Sequence, residues 1–150
     1  RGGTYVAAVA EIQVNKSSGK VLVKRNTIAH DCGRIVTPDG VKNQIEGNVI
    51  QGVSRALIEE VQFNASGVTS LDWSSYPILT FAEVPDIDIV LINRSEMEPL
   101  GAGEPSLIPV PAAIANAIFD ATGARLREAP FTPKRITDAL KASLSPAQRA

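Results

Sequence analysis

Apolar and polar residues alternate from Thr4 to Val14 (TYVAAVAEIQV) and again from Val21 to Ala29, separated by Asn15-Lys16-Ser17-Ser18-Gly19-Lys20. Period-two alternation on both sides of a polar, glycine-bearing turn predicts a β-hairpin. From Thr37 the period lengthens to that of a helix. Thr37-Pro38-Asp39 offers a hydroxyl for the N-cap, a proline at the first helical position and an acid in the first turn. Val41, Ile45, Val49, Ile50, Val53, Ala56 and Leu57 then fall on one broad side of a helix running to about Glu60. Gln44, Gly47, Asn48, Gln51 and Arg55 fall on the other.

Farther on, Val61-Gln62-Phe63 and Val68 to Leu71 flank the turn Asn64-Ala65-Ser66-Gly67 and predict a second, short hairpin. The aromatics of Asp72 to Pro77 (DWSSYP) read as an anchoring plug or as a substrate stack. Ile87 to Ile92, with one charge, suits a buried strand. Pro109 and Pro111 predict an extended approach to a small-residue helix, Ala112 to Thr122, closed by Gly123. Thr132-Pro133 opens a last helix with Ile136, Ala139, Leu140 and Leu144 on one stripe, and Ser145 to Ala150 reads as a frayed tail. Strands and helices in this order predict an α+β fold: a mixed, mainly antiparallel sheet with about three helices.

Composition narrows the function classes. With 150 residues, 44% hydrophobic and 21% charged, the chain is one globular domain by length. Fifteen basic residues against sixteen acidic ones leave no basic footprint for nucleic acid. No apolar run reaches the roughly 20 residues of a membrane span. A single cysteine, Cys32, and a single histidine, His30, cannot by themselves build a zinc site, a disulfide or an iron–sulfur site, so no metal-ligand set is expected within the chain. His30, Asp31 and Cys32 are neighbours along a strand and alternate in direction, which rules out a nucleophilic relay among them. Asp31 and Arg34 are expected to hold the following loop by local hydrogen bonds. The first residue is Arg1 rather than Met, and the chain is expected to be a piece of a longer one.

The candidate chemistry centres on Gly101-Ala102-Gly103-Glu104-Pro105. Two glycines leave bare backbone beside Glu104, where a bulky ligand can approach closely. Pro105 is expected to force Glu104 into an extended conformation. The segment is either a way of presenting a general base to a large bound group or a surface turn with a solvated carboxylate. A phosphate loop is disfavoured, since Ser106 stands where the third glycine of G-x-G-x-x-G belongs and Pro105 blocks the helix start. The helix stripe bearing Gln44 and Gln51 offers amides about 10 Å apart, either to one extended ligand or as a neutral outer face in which Gly47 and Gly52 admit a neighbouring element.

Taken together, Asp31-Cys32-Gly33-Arg34, Asn43-Gln44-Ile45-Glu46-Gly47, Gln51-Gly52, Glu59-Glu60, Tyr76-Pro77, Gly101-Ala102-Gly103-Glu104-Pro105, Ala113 to Ile118 and Ala121 to Arg125 resemble, in the same order, the C-terminal part of the molybdenum-binding subunit of the xanthine oxidase (molybdenum hydroxylase) family. The Asn-Gln-Ile-Glu-Gly-Asn run and the Ala-Asn-Ala-Ile-Phe-Asp-Ala-Thr-Gly helix resemble the bacterial isoquinoline 1-oxidoreductase and nicotinate dehydrogenase group most closely. The resemblance implies that residues 1–144 form a C-terminal molybdopterin-binding domain and that 145–150 are a tail. It implies hydroxylation of an N-heteroaromatic or aldehyde carbon with oxygen from water, Glu104 being the base and Gln44 a hydrogen-bond donor near the metal. Gln44, Gly47, Gln51, Gly52, Ala102 and Gly103 would contact a molybdopterin dinucleotide, of the cytosine form, with its molybdenum. Iron–sulfur clusters would lie on another subunit or domain, and the remainder of the molybdenum subunit and an iron–sulfur subunit would be partners. The resemblance also implies a bacterial enzyme, cytoplasmic or periplasmic, inactive as this chain alone. The competing reading is a non-catalytic cofactor-binding or assembly subunit that has kept the fold; retention of both Glu104 and Gln44 argues against it.

Overall fold

A computed structural model describes residues 3–143. The first hairpin pairs β1 (Tyr5–Val14) with β2 (Val21–Asp31), antiparallel, from Tyr5 opposite Asp31 to Val14 opposite Val21. Glu11 faces Arg25 while Ile12 faces Val23, so Lys24 is an extra residue on β2. That bulge changes the parity of the strand: Val23 and Asn26, three residues apart, both reach the core, followed by Ile28 and His30. β2 runs two residues beyond Ala29, which places His30 and Asp31 inside the sheet rather than in the connection.

Helix α1 (Pro38–Leu57) follows. Its first turn starts at Pro38 as expected, but the Thr37 hydroxyl caps nothing; the Thr37 carbonyl instead accepts from the Val41 N–H at 3.1 Å. The small hairpin of β3 (Phe63–Asn64) and β4 (Gly67–Val68) and a loop lead to β5 (Asp86–Ile92). β5 adds to β2 in parallel, giving the order β1-β2-β5. The main sheet thus has one antiparallel and one parallel pair. β5 is an edge strand buried on one face only, with Val90 and Ile92 turned outward, because among the described residues no helix covers the second face.

Helix α2 (Pro109–Thr122) begins three residues earlier than the alanine pattern predicts. Pro109 and Pro111 belong to its first turn, where their missing N–H groups have no intrahelical acceptor to lose. Gly123 closes the helix, its N–H reaching the Phe119 carbonyl at 2.7 Å. α2 lies over β1 and packs against α1, which also contacts β2 and β5. Helix α3 (Pro133–Ser143) docks its Ile136 into the same core, and the Phe131 N–H bonds the Ala56 carbonyl at 2.6 Å. Leu144 and the expected tail lie outside the described residues. Ile45, Val49, Val53 and Ala56 of α1 meet Val110, Ile114 and Ile118 of α2 over Val23 and Ile28 of β2. Each such fully buried Val or Ile contributes about 1.5–3 kcal/mol of transfer free energy. Among the described residues no helix is long and apolar enough to cross a membrane.

At Gly52 the two helices approach each other closely. A Cβ there would lie 2.8 Å from Val110 Cβ and 2.9 Å from its Cγ1. Gly52→Ala is therefore expected to push α1 and α2 apart and lower stability by about 1–3 kcal/mol, seen as a drop in Tm of the full-length protein. An unchanged Tm would show that the helices are not locked at this point.

Candidate functional site

The segment from Leu100 to Ser106 is strapped across the C-terminal end of β2 and the first half of α1. The Leu100 N–H bonds the Cys32 carbonyl at 2.9 Å, and the Thr4 hydroxyl donates to the Gly101 carbonyl at 2.6 Å. The Gly103 carbonyl is held twice, by Asn48 Nδ2 at 2.8 Å and by Gln44 Nε2 at 3.3 Å. Ser106 Oγ lies 2.8 Å from His30 Nδ1. With the carbonyls of 101 and 103 committed inward, none of the N–H groups of Gly101, Ala102, Gly103 and Glu104 donates to another described residue. A run of free backbone donors of this kind is suited to an anionic or oxo group.

Glu104 stands at the end of that run and is exposed on this chain. It is not extended: φ is −122° and ψ −16°, so the backbone turns straight into the 3₁₀ turn Pro105–Leu107, with the Leu107 N–H on the Glu104 carbonyl at 3.1 Å. The proline bias against the helical region is overridden by the anchors on either side of the residue.

Gln44, Ala102 and Gly103 line one open cleft of about 330 Å³ with Cys32, Arg34 and Leu100. Gln51 lines a different one, about 280 Å³, with Arg55, Glu59, Trp73 and Tyr76. Both clefts open beside the same face of α1. Apart from the adjoining backbone, no atom of the described residues lies within 4 Å of where a Cβ would stand at Gly47 or Gly101, so a ligand can lie directly on the backbone at either point. Gly52 is buried on the α2 side and does not share that surface. The arrangement thus brings together Gln44, Ala102, Gly103 and Glu104, extends past Gly47 toward Gln51, and leaves Gly52 in the core.

Asn48 is the residue whose part the sequence hides. Its place on the helical wheel beside Gln44 and Gln51 suggests an outward ligand contact, yet it is 7% exposed and spends its amide on the strap. The signal was its i,i+4 spacing from Gln44, which aims both amides at one carbonyl.

The loop after β2 is set by Asp31, which accepts from the Gly33 N–H at 3.1 Å and pairs with Arg94 at 2.6 Å. The Gly33 N–H first, and the Arg94 guanidinium with it, hold the Asp31 carboxyl below its ordinary range. Arg34 acts at longer range than expected, donating from Nε to the Ser95 carbonyl at 2.8 Å. Gly33 has φ +73°, and a Cβ there would meet the Glu98 carbonyl oxygen at 2.3 Å, so only glycine lets the two loops close. Cys32 is buried and burial pushes its thiol up, opposite to what a nucleophile needs.

In the second cleft Trp73 is 75% exposed, so it plugs nothing among the described residues; Tyr76 instead ties down, donating from its hydroxyl to Glu59 Oε2 at 2.9 Å. Asp72 organises the turn between them. It accepts from the hydroxyls and N–H groups of Ser74 and Ser75 at 2.7–3.1 Å, which hold its carboxyl down to about 2. Because the folded value is depressed, this contribution is present above the unfolded carboxyl range and is lost as pH falls through about 2. A carboxyl titration by NMR is expected to place Asp72 near that value; titration near the ordinary aspartate range would contradict the turn.

The molybdopterin cofactor-binding domain family matches residues 2–85. A nicotinate dehydrogenase subunit of Pseudomonas putida is 50% identical over 93% of this chain, and the beta subunit of isoquinoline 1-oxidoreductase from Brevundimonas diminuta is 36% identical over 86%. The chain spans only 12% and 16% of those proteins. Among solved structures, aldehyde oxidoreductase from Desulfovibrio gigas superposes with a TM-score of 0.82 at 28% identity, covering 92% of this chain and 15% of that one. Quinoline 2-oxidoreductase from Pseudomonas putida gives 0.80 at 26%, covering 88% and 18%. With a family match over more than half its length, the chain belongs to the molybdopterin cofactor-binding domain family.

Proposed function

We propose that this chain forms one wall of a molybdenum hydroxylase active site, in which Glu104 is the general base for hydroxylation of an N-heteroaromatic or aldehyde carbon with oxygen from water. The observation that carries the reading is the strap. Its carbonyls are fixed inward by Thr4, Gln44 and Asn48, its N–H groups are left free, and Glu104 projects at its end.

The residues present fit a molybdopterin dinucleotide, here taken as the cytosine form. The free N–H groups of Ala102 and Gly103 and the amides of Gln44 and Gln51 would hold it, with Gly47 giving room for close approach. When bound, that cofactor supplies two-electron oxidation with activation of water, the net change being RH + H₂O → ROH + 2H⁺ + 2e⁻. Glu104 accepts one of those protons at its carboxylate, and Gln44 steadies developing negative charge through its amide N–H. Iron–sulfur clusters on another subunit or domain would be the electron acceptors. Since the chain spans about an eighth to a sixth of the relatives it matches, the remainder of the molybdenum subunit supplies the opposite wall and encloses the Glu104 carboxylate. The identity to the nicotinate dehydrogenase subunit favours an N-heteroaromatic substrate.

The test is turnover of the full-length enzyme on N-heteroaromatic substrates in ¹⁸O-labelled water. Label in the hydroxylated product is expected; product oxygen drawn from O₂ would overturn the reading.

A further inference from the structure

The core beneath the strap contains a histidine that the proposed chemistry does not use. His30, on the inward face of β2, is 0% exposed, and so is Ser106, whose Oγ lies 2.8 Å from His30 Nδ1. The other ring nitrogen, Nε2, is closed off without a partner among the described residues. A neutral imidazole has one N–H donor and one bare nitrogen. Buried N–H groups are left unpaired less readily than buried acceptors, so the tautomer that fits this site carries its proton on Nδ1 and donates to Ser106 Oγ. Burial lowers the ring's proton affinity below that of an ordinary imidazole, opposed in part by the Asp31 charge.

Ser106 is two residues from Glu104 and sits inside the 3₁₀ turn Pro105–Leu107 that Glu104 opens. The bonds to the Gly101 and Gly103 carbonyls fix the chain before Glu104. After Glu104, the side-chain hydrogen bond that ties the turn to the sheet among the described residues is His30 to Ser106. Without it, the backbone at Glu104 could pivot about Gly103 while the rest of the core stays packed.

We propose that His30 is a positioning residue: through Ser106 it sets the direction in which the Glu104 carboxylate faces the reacting carbon. The proposal rests on the reading of Glu104 as base. A pair that served the fold alone would affect stability and leave the chemical step untouched. A positioning pair affects the chemical step most, since a displacement of about 1 Å in a catalytic group can cost on the order of 100-fold.

The experiment compares Ser106→Ala, His30→Phe, their double variant, Glu104→Gln and Ser106→Ala/Glu104→Gln in the full-length enzyme, measuring kcat, KM, molybdenum content and Tm. Ser106→Ala removes one oxygen and is the variant least able to disturb folding. The expected result is a fall in kcat of about 10- to 100-fold in Ser106→Ala, with KM and molybdenum content within about twofold of wild type and the double variant no worse than the lower single. In the Glu104→Gln background, Ser106→Ala is expected to cost nothing further, because there is no base left to aim. If Glu104→Gln is inactive while Ser106→Ala keeps its kcat, the positioning role is wrong and the base reading stands. If Ser106→Ala loses kcat only in proportion to lost molybdenum or Tm, the pair is structural and the proposal fails. Normal turnover of Glu104→Gln would remove the base reading and this proposal together.

Discussion

Glu104→Gln in the full-length enzyme is expected to lower kcat by roughly two to four powers of ten while leaving molybdenum and pterin content at wild-type levels. The amide keeps the size of the carboxylate but cannot accept a proton, and the strap that holds it makes no bond to the side chain. Its anchors are the carbonyls of Gly101 and Gly103, the Leu100 N–H and the Ser106 hydroxyl, all of which the substitution leaves in place. Loss of turnover without loss of cofactor therefore isolates proton transfer from folding. Steady-state kinetics with metal analysis decides it; retained turnover would take Glu104 out of the reaction.

The second large effect separates two amides that look alike in the sequence. Gln44→Ala is expected to lower kcat by roughly one to three powers of ten with little change in Tm, since Gln44 is exposed and its bond to the Gly103 carbonyl is the longer one at 3.3 Å. Asn48→Ala should lower both, because Asn48 is buried and holds that same carbonyl at 2.8 Å. Removing it costs about 1–3 kcal/mol of stability through the carbonyl left short of its partner, and loosens the strap next to Glu104. Equal kinetic effects with equal losses of Tm would mean that both amides serve only to hold the loop.

The parts of the fold that could be read from the sequence are those decided by local periodicity. The first hairpin, the three helices and the small hairpin around Gly67 are where alternation, helical period and turn residues agree. What could not be read depends on segments far apart in the chain. The burial of Asn48 depends on the strap returning 55 residues later. Whether β5 is buried on one face or on both depends on the layers that cover it, and its apolar run fits either. The prolines at 109 and 111 look like an extended lead-in until the first turn of α2 absorbs them. Glu104 takes up a turn conformation against the preference of a residue before proline because His30, Asn48 and Gln44 hold its neighbours. The candidate site was legible as an ordered set of short motifs, which also mark the family. Its clamps were not, since Thr4, His30 and Asn48 carry no local mark of what they hold.

The direct test of the central claim is the molybdenum and pterin-nucleotide content of the full-length enzyme, purified after maturation with its natural partners. About one molybdenum and one pterin dinucleotide for each copy of this chain is the expected result. A fully matured complex that contains neither would contradict the account, and Glu104 would then be an exposed turn residue in a fold kept for another purpose.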